Sequence, residues 1–141
     1  MARLVLGMAC CILVAGALAG CTSARTNLGT SDSACYLALP AANKAVGHGR
    51  LVSVHLVTLK SLKRVAPALF KALDTNERTS QRVCAVAFSG TFTRESVHKP
   101  RGRPSGGLAV AILTNPSNIL IGTVIFRHAQ GQFGSRSILR F

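Results

Sequence analysis

Thiol, imidazole and guanidinium groups are the reactive chemistry this sequence offers. It has five cysteines (Cys10, Cys11, Cys21, Cys35, Cys84), four histidines (His48, His55, His98, His128) and one dense basic run, His98-Lys99-Pro100-Arg101-Gly102-Arg103-Pro104. Carboxylates are scarce: 4 Asp and Glu in 141 residues leave little for a paired-carboxylate catalyst or a carboxylate-rich metal site. Each histidine falls in a different segment, none stands near a cysteine at ligand spacing, and there is no C-x-x-C. G-x-S-x-G, H-E-x-x-H and the phosphate-binding glycine loops are absent as well. The expectation is a non-enzymatic protein with no catalytic, metal-binding or cofactor-binding residues. An enzyme with an unmarked site would have to reveal itself as an apolar pocket with convergent polar groups.

Cys10 and Cys11 lie inside an apolar stretch, 4–17, which follows Arg3 and leads into Leu18-Ala19-Gly20-Cys21. One positive charge, an apolar run and small residues at its end make an export signal. The four residues 18–21 resemble the lipobox of bacterial lipoproteins, an aliphatic residue and two small ones before a cysteine. That resemblance covers only the first 21 residues. It implies that Cys21 carries diacylglycerol through a thioether, that the signal is cut before it, and that Cys21 becomes the first residue. The alternative is an uncleaved anchor helix, although 4–20 is only 17 residues, at the lower limit for spanning a bilayer. Either arrangement places the rest of the chain outside the cytoplasm. The expected organisation is a signal peptide over 1–20, a polar flexible tether over 21–33 (TSARTNLGTSDS after the cysteine), and one domain over 34–141. The expected partners are the membrane, through the lipid, and an envelope protein or anionic envelope component.

Cys35 and Cys84 are the two thiols left to the domain. Export favours oxidation, so the expectation is a Cys35–Cys84 disulfide closing a loop of about 50 residues.

These residues have to be held by a scaffold whose elements show in the hydropathy pattern. Residues 36–46 are rich in alanine and leucine and predict a short helix around Pro40, broken by Gly47-His48-Gly49. Residues 51–58 alternate, with Val52, Val54 and Leu56 on one side and Ser53 and His55 on the other, which predicts a strand. Leu59, Leu62, Ala66, Leu69, Phe70 and Leu73 then recur at steps of three and four, a helical stripe with Pro67 inside it, so a kink or two short helices follow. Lys60, Lys63, Arg64 and Lys71 occupy the other side of that stripe.

A second strand is expected over 83–93, with Cys84, Val86, Phe88 and Phe92 facing one way and Ala85, Ala87, Ser89 and Thr91 the other. Residues 95–107 read as a proline-, glycine- and arginine-rich loop. Two apolar strands over 108–113 and 119–126 are joined by a hairpin loop at 114–118. The fold expected is α+β: a small single sheet of about four strands with helices packed on one face.

Within the basic loop, Pro100-Arg101-Gly102-Arg103-Pro104 resembles the core of an AT-hook, which reads the minor groove of A·T-rich DNA. The resemblance would make Arg101 and Arg103 the groove-following side chains and Gly102 the point of close approach. An exported domain meets no chromosome, so nucleic acid is not the expected partner. Lys99, Arg101 and Arg103 are instead candidates for contact with anionic lipid or an envelope polyanion. The formal charge of +13 draws the protein toward such surfaces in a salt-dependent way.

Overall fold

The computed structural model describes residues 33–127. The expected signal peptide, Cys21, nearly all of the tether, His128 and the C-terminal residues 128–141 lie outside the described residues. A 3₁₀ helix, Ser33–Ala38, runs into α1, Leu39–Val46, with Pro40 in its first turn, where a missing N–H does no harm. Gly47, at φ 77°, ends α1 by donating its N–H to the Asn43 carbonyl. β1, Arg50–Thr58, follows.

The helical stripe resolves into two short helices, as its proline requires. α2 is Leu59–Val65, started by the Thr58 side chain, whose Oγ1 accepts from the Ser61 N–H. α3 is Pro67–Leu73 and stops at Asp74 in the left-handed conformation, φ 44°. Then come β2, Arg82–Thr93, a single 3₁₀ turn at Arg94–Ser96, β3, Pro100–Gly102, β4, Ser105–Thr114, and β5, Leu120–Phe126. The strands form one sheet in the order β1-β2-β4-β5-β3, antiparallel throughout except for the β3–β5 pair.

The α+β class is as expected, and two details differ. The sheet has five strands, because Pro100–Gly102 inside the expected loop pairs with β5. The helices lie on both faces of the sheet, not on one. Cys84, Val86 and Phe88 of β2 point into a core with Cys35, Ala38, Ala42 and Val46 from the N-terminal helices. Val83, Ala85 and Ala87 point the opposite way, into a core with Leu59, Leu62, Leu69 and Leu73 of α2 and α3. A strand alternates sides at every residue, so these two sets cannot share a face.

β4 divides in the same manner, Ala109, Ala111 and Leu113 toward the first core and Leu108, Val110 and Ile112 toward the second. Large side chains on β2 face the thin layer of alanines in α1, and its alanines face the leucines of α2 and α3. Both covered faces explain why 83–88 and 108–114 are buried without a break.

On the edge strand β1, Val54 and Leu56 pack toward the first core as expected. A bulge between Leu51 and Ser53 takes Val52 out of that alternation and leaves it exposed.

Gly106 of β4 packs against the end of β5, where an added Cβ would run into the carbonyl of Phe126. At Gly107 the nearest atom would be 3.4 Å away, an ordinary contact. Gly106→Ala is therefore expected to lower unfolding free energy by about 1–3 kcal/mol, the usual effect of forcing an extra carbon into a packed site. Gly107→Ala should stay within about 0.5 kcal/mol of the parent. Urea unfolding of the two variants side by side checks this.

Candidate functional site: the bridged cysteines and the basic edge strand

Cys35 lies in the N-terminal 3₁₀ helix and Cys84 near the start of β2, both fully buried. Their sulfurs are bonded, with the Cα atoms 5.4 Å apart, within the span a disulfide accommodates. The bridge ties the first element of the domain to an interior strand of the sheet across 49 residues. Around it, Cys35 Sγ lies 3.7 Å from the His55 carbonyl oxygen, and Asn115 Nδ2 lies 3.8 Å from Cys84 Sγ. Nothing in this setting resembles an exposed, electropositive thiol, so its chemistry is that of a staple.

The basic segment is built differently from a free loop. Pro100, Arg101 and Gly102 pair in parallel with Thr123, Val124 and Ile125 of β5. The Thr123 N–H donates to the Lys99 carbonyl at 3.0 Å, and the Arg103 N–H donates to the Ile125 carbonyl at 3.2 Å. Lys99 itself takes a left-handed backbone, φ 46°, and its ammonium donates to the Leu120 carbonyl at 2.8 Å. All three candidate contact residues are exposed, and Lys99 in addition spends one hydrogen bond of its ammonium on holding the strand.

Gly102, at φ 75°, is needed for the fold: a Cβ there would come within 2.9 Å of the Ile125 carbonyl oxygen. The close approach that the AT-hook resemblance assigns to a DNA groove is used here against β5.

One residue that sequence reasoning missed completes the clamp. Arg94 donates from Nη2 to the Gly102 carbonyl at 3.0 Å, and its backbone N–H donates to the Pro104 carbonyl at 3.0 Å. The turn that positions Arg94 is fixed by Ser96, whose Oγ accepts from the Thr93 N–H and donates to the Thr93 carbonyl, each at 2.9 Å. The Thr-x-x-Ser spacing was the available signal for that turn, but nothing local says where the Arg94 side chain goes.

Arg101 leans toward the α2–α3 side of the sheet. Its Cγ and Leu73 Cδ1 both lie 3.3 Å from where a Cβ on Gly122 would be. It shares that side with Lys60, Lys63, Arg64 and Lys71, all exposed, and Lys63 places its ammonium 5.8 Å from the centre of the Phe70 ring. Residues 33–127 hold 13 Lys and Arg against Asp74, Glu77 and Glu95.

The three described histidines stay apart. His48 donates from Nε2 to the Thr91 carbonyl at 2.7 Å and stacks on Phe92 with ring centres 5.2 Å apart. His55 is half-buried on β1, and His98 is exposed before β3, its N–H donating to the Ala45 carbonyl at 2.7 Å. Among the described residues no three His, Cys, Asp or Glu side chains converge as metal ligands, and no helix is long and apolar enough to cross a membrane.

No family model matches the chain, and no curated protein or solved structure compared with it matches either.

Replacing both cysteines, Cys35→Ala with Cys84→Ala, releases a loop of this length in the unfolded chain and should lower stability by about 4 kcal/mol on the chain-entropy argument. Urea unfolding of the variant beside the parent, each with and without reductant, tests this. Reductant should shift the parent toward the variant and leave the variant where it is.

Proposed function

We propose that this protein is a non-enzymatic exported lipoprotein, a small disulfide-bonded α+β module held at a bacterial membrane by lipid on Cys21. In this reading its role is accessory or binding, toward an envelope protein or an anionic envelope component. The observation that carries it is Leu18-Ala19-Gly20-Cys21 at the end of the apolar stretch 4–17 behind Arg3. Two acyl chains make a lasting anchor where one does not. The bridged pair Cys35–Cys84 supports the reading, because a fully buried structural disulfide belongs to an oxidising compartment. The intact mass of the protein from its own membranes, before and after reduction, tests it. A chain beginning at Cys21 with acyl mass, gaining about two daltons on reduction, is the expected result. A chain beginning at Met1 with unmodified, free thiols overturns it.

A second reading makes the domain a binder of anionic lipid or envelope polyanion in its own right. The gathering of Arg101 with Lys60, Lys63, Arg64 and Lys71 on one side of the sheet favours it. Arg101 and Arg103 are expected to contribute about 1 kcal/mol each against an anionic surface. In protein lacking its anchor, Arg101→Gln with Arg103→Gln should then weaken sedimentation with phosphatidylglycerol vesicles by roughly thirtyfold at low salt, and much less at high salt. Unchanged sedimentation removes this reading.

A further inference from the structure

The described residues expose only four large aliphatic side chains, in two groups. Leu51 and Val52, 43% and 42% exposed, sit together on edge strand β1. Leu37 and Ile119 are more exposed, at 78% and 61%, and come from segments 82 residues apart. Leu37 belongs to the N-terminal 3₁₀ helix and Ile119 to the turn between β4 and β5. Asn118, at φ 55°, joins the two segments by donating from Nδ2 to the Leu37 carbonyl at 3.5 Å. The Ile119 backbone is fixed as well, its N–H donating to Thr114 Oγ1 at 3.0 Å and its carbonyl accepting from the Thr114 N–H at 2.9 Å. Two side chains that could have been buried are instead held outward at one end of the molecule.

That end is defined by the sheet. Thr58, Arg82, Thr114 and Leu120 are neighbours there, whereas Arg50, Ser89, Leu108 and Phe126 mark the other. Cations accompany the aliphatic pair. The Lys99 ammonium is bonded to the Leu120 carbonyl, next to Ile119, and exposed Arg82 accepts at its carbonyl from the Asn115 N–H at the foot of the same turn. The chain also enters the domain nearby: Leu37 is in the first described element, and residues 22–32 separate that element from Cys21. Even fully extended, this connection reaches about 40 Å. Resting on the lipoprotein reading, then, the domain is confined to a thin layer above the leaflet at high effective concentration.

We infer that Leu37 and Ile119 form a membrane-contacting tip, entering the boundary between headgroups and acyl chains of an anionic bilayer while Lys99 and Arg82 meet the lipid phosphates. The contact sets which way the tethered domain faces. Aliphatic side chains with flanking cations are the combination that binds peripherally to such a surface.

The absence of tryptophan from the chain provides a clean probe. Leu37→Trp and Ile119→Trp each introduce one indole at the tip, and Ser105→Trp introduces one at the opposite end, where Ser105 is exposed and pairs with Thr93. The three full-length proteins, isolated from membranes, are placed in vesicles containing phosphatidylglycerol and bromine-labelled lipid. The tip indoles are expected to emit further to the blue and to lose at least half their intensity to the bromines, the Ser105→Trp indole less than a fifth. Equal quenching at all three positions, or none at the tip, overturns the inference. The intact mass of the same samples reads the anchor separately. Acylated protein without tip quenching removes the tip and leaves the anchor standing, whereas tip quenching in unacylated protein keeps the tip and removes the anchor.

Discussion

Burial of the β2–β4 pair on both faces is the constraint from which the rest of the structure follows. Residues 83–88 and 108–114 have no side exposed to water. A sheet with two apolar faces needs two covering layers, and a chain of this size has few residues to make them. One layer is the 3₁₀ helix with α1, only 14 residues from Ser33 to Val46, built mostly from small side chains. The other is α2 and α3, two seven-residue helices whose leucines fill the space that Ala85 and Ala87 leave. The alternation of large and small along β2 is what lets layers of such different thickness fit one sheet.

The thin layer explains where the disulfide belongs. Ala38, Ala42 and Val46 bring little apolar area, and short helices gain little from their own hydrogen bonds. The bond from Cys35 to Cys84 holds the start of this layer to the first residues of β2. At the other edge of the sheet no covalent bond is used. β3 stays on β5 through Arg94, Lys99 and the bare backbone of Gly102, so the basic character of that segment is in part an architectural matter.

Much of this was legible in the residues. The period of two at 51–58 and 83–93 and the stripe from Leu59 to Leu73 gave the elements, and Pro67 gave the split between α2 and α3. Cysteine arithmetic gave the bridge. Two things were hidden for physical reasons. A period locates the apolar side of a helix but not which face of the sheet it meets, and both faces of β2 were apolar enough to receive one. β3 was hidden because its pairing partner lies across β4, and three residues containing proline and glycine carry no strand pattern. For the candidate site, Arg101 and Arg103 were found by charge density, but the structural use of Lys99 and the part played by Arg94 depend on backbone carbonyls that composition does not reveal.

The sheet's two borders, β1 and β3, are unequal. A border strand offers unpaired amide and carbonyl groups to any neighbouring polypeptide. On one side that border is β3, three residues long, with a proline that has no N–H to offer and an arginine that repels its own kind. A second copy meeting this border would find little template there for strand-to-strand growth. The longer border, β1, bends at its bulge and is interrupted as a straight template near Leu51. The sheet thus offers a straight border only along Ser53–Thr58 of β1.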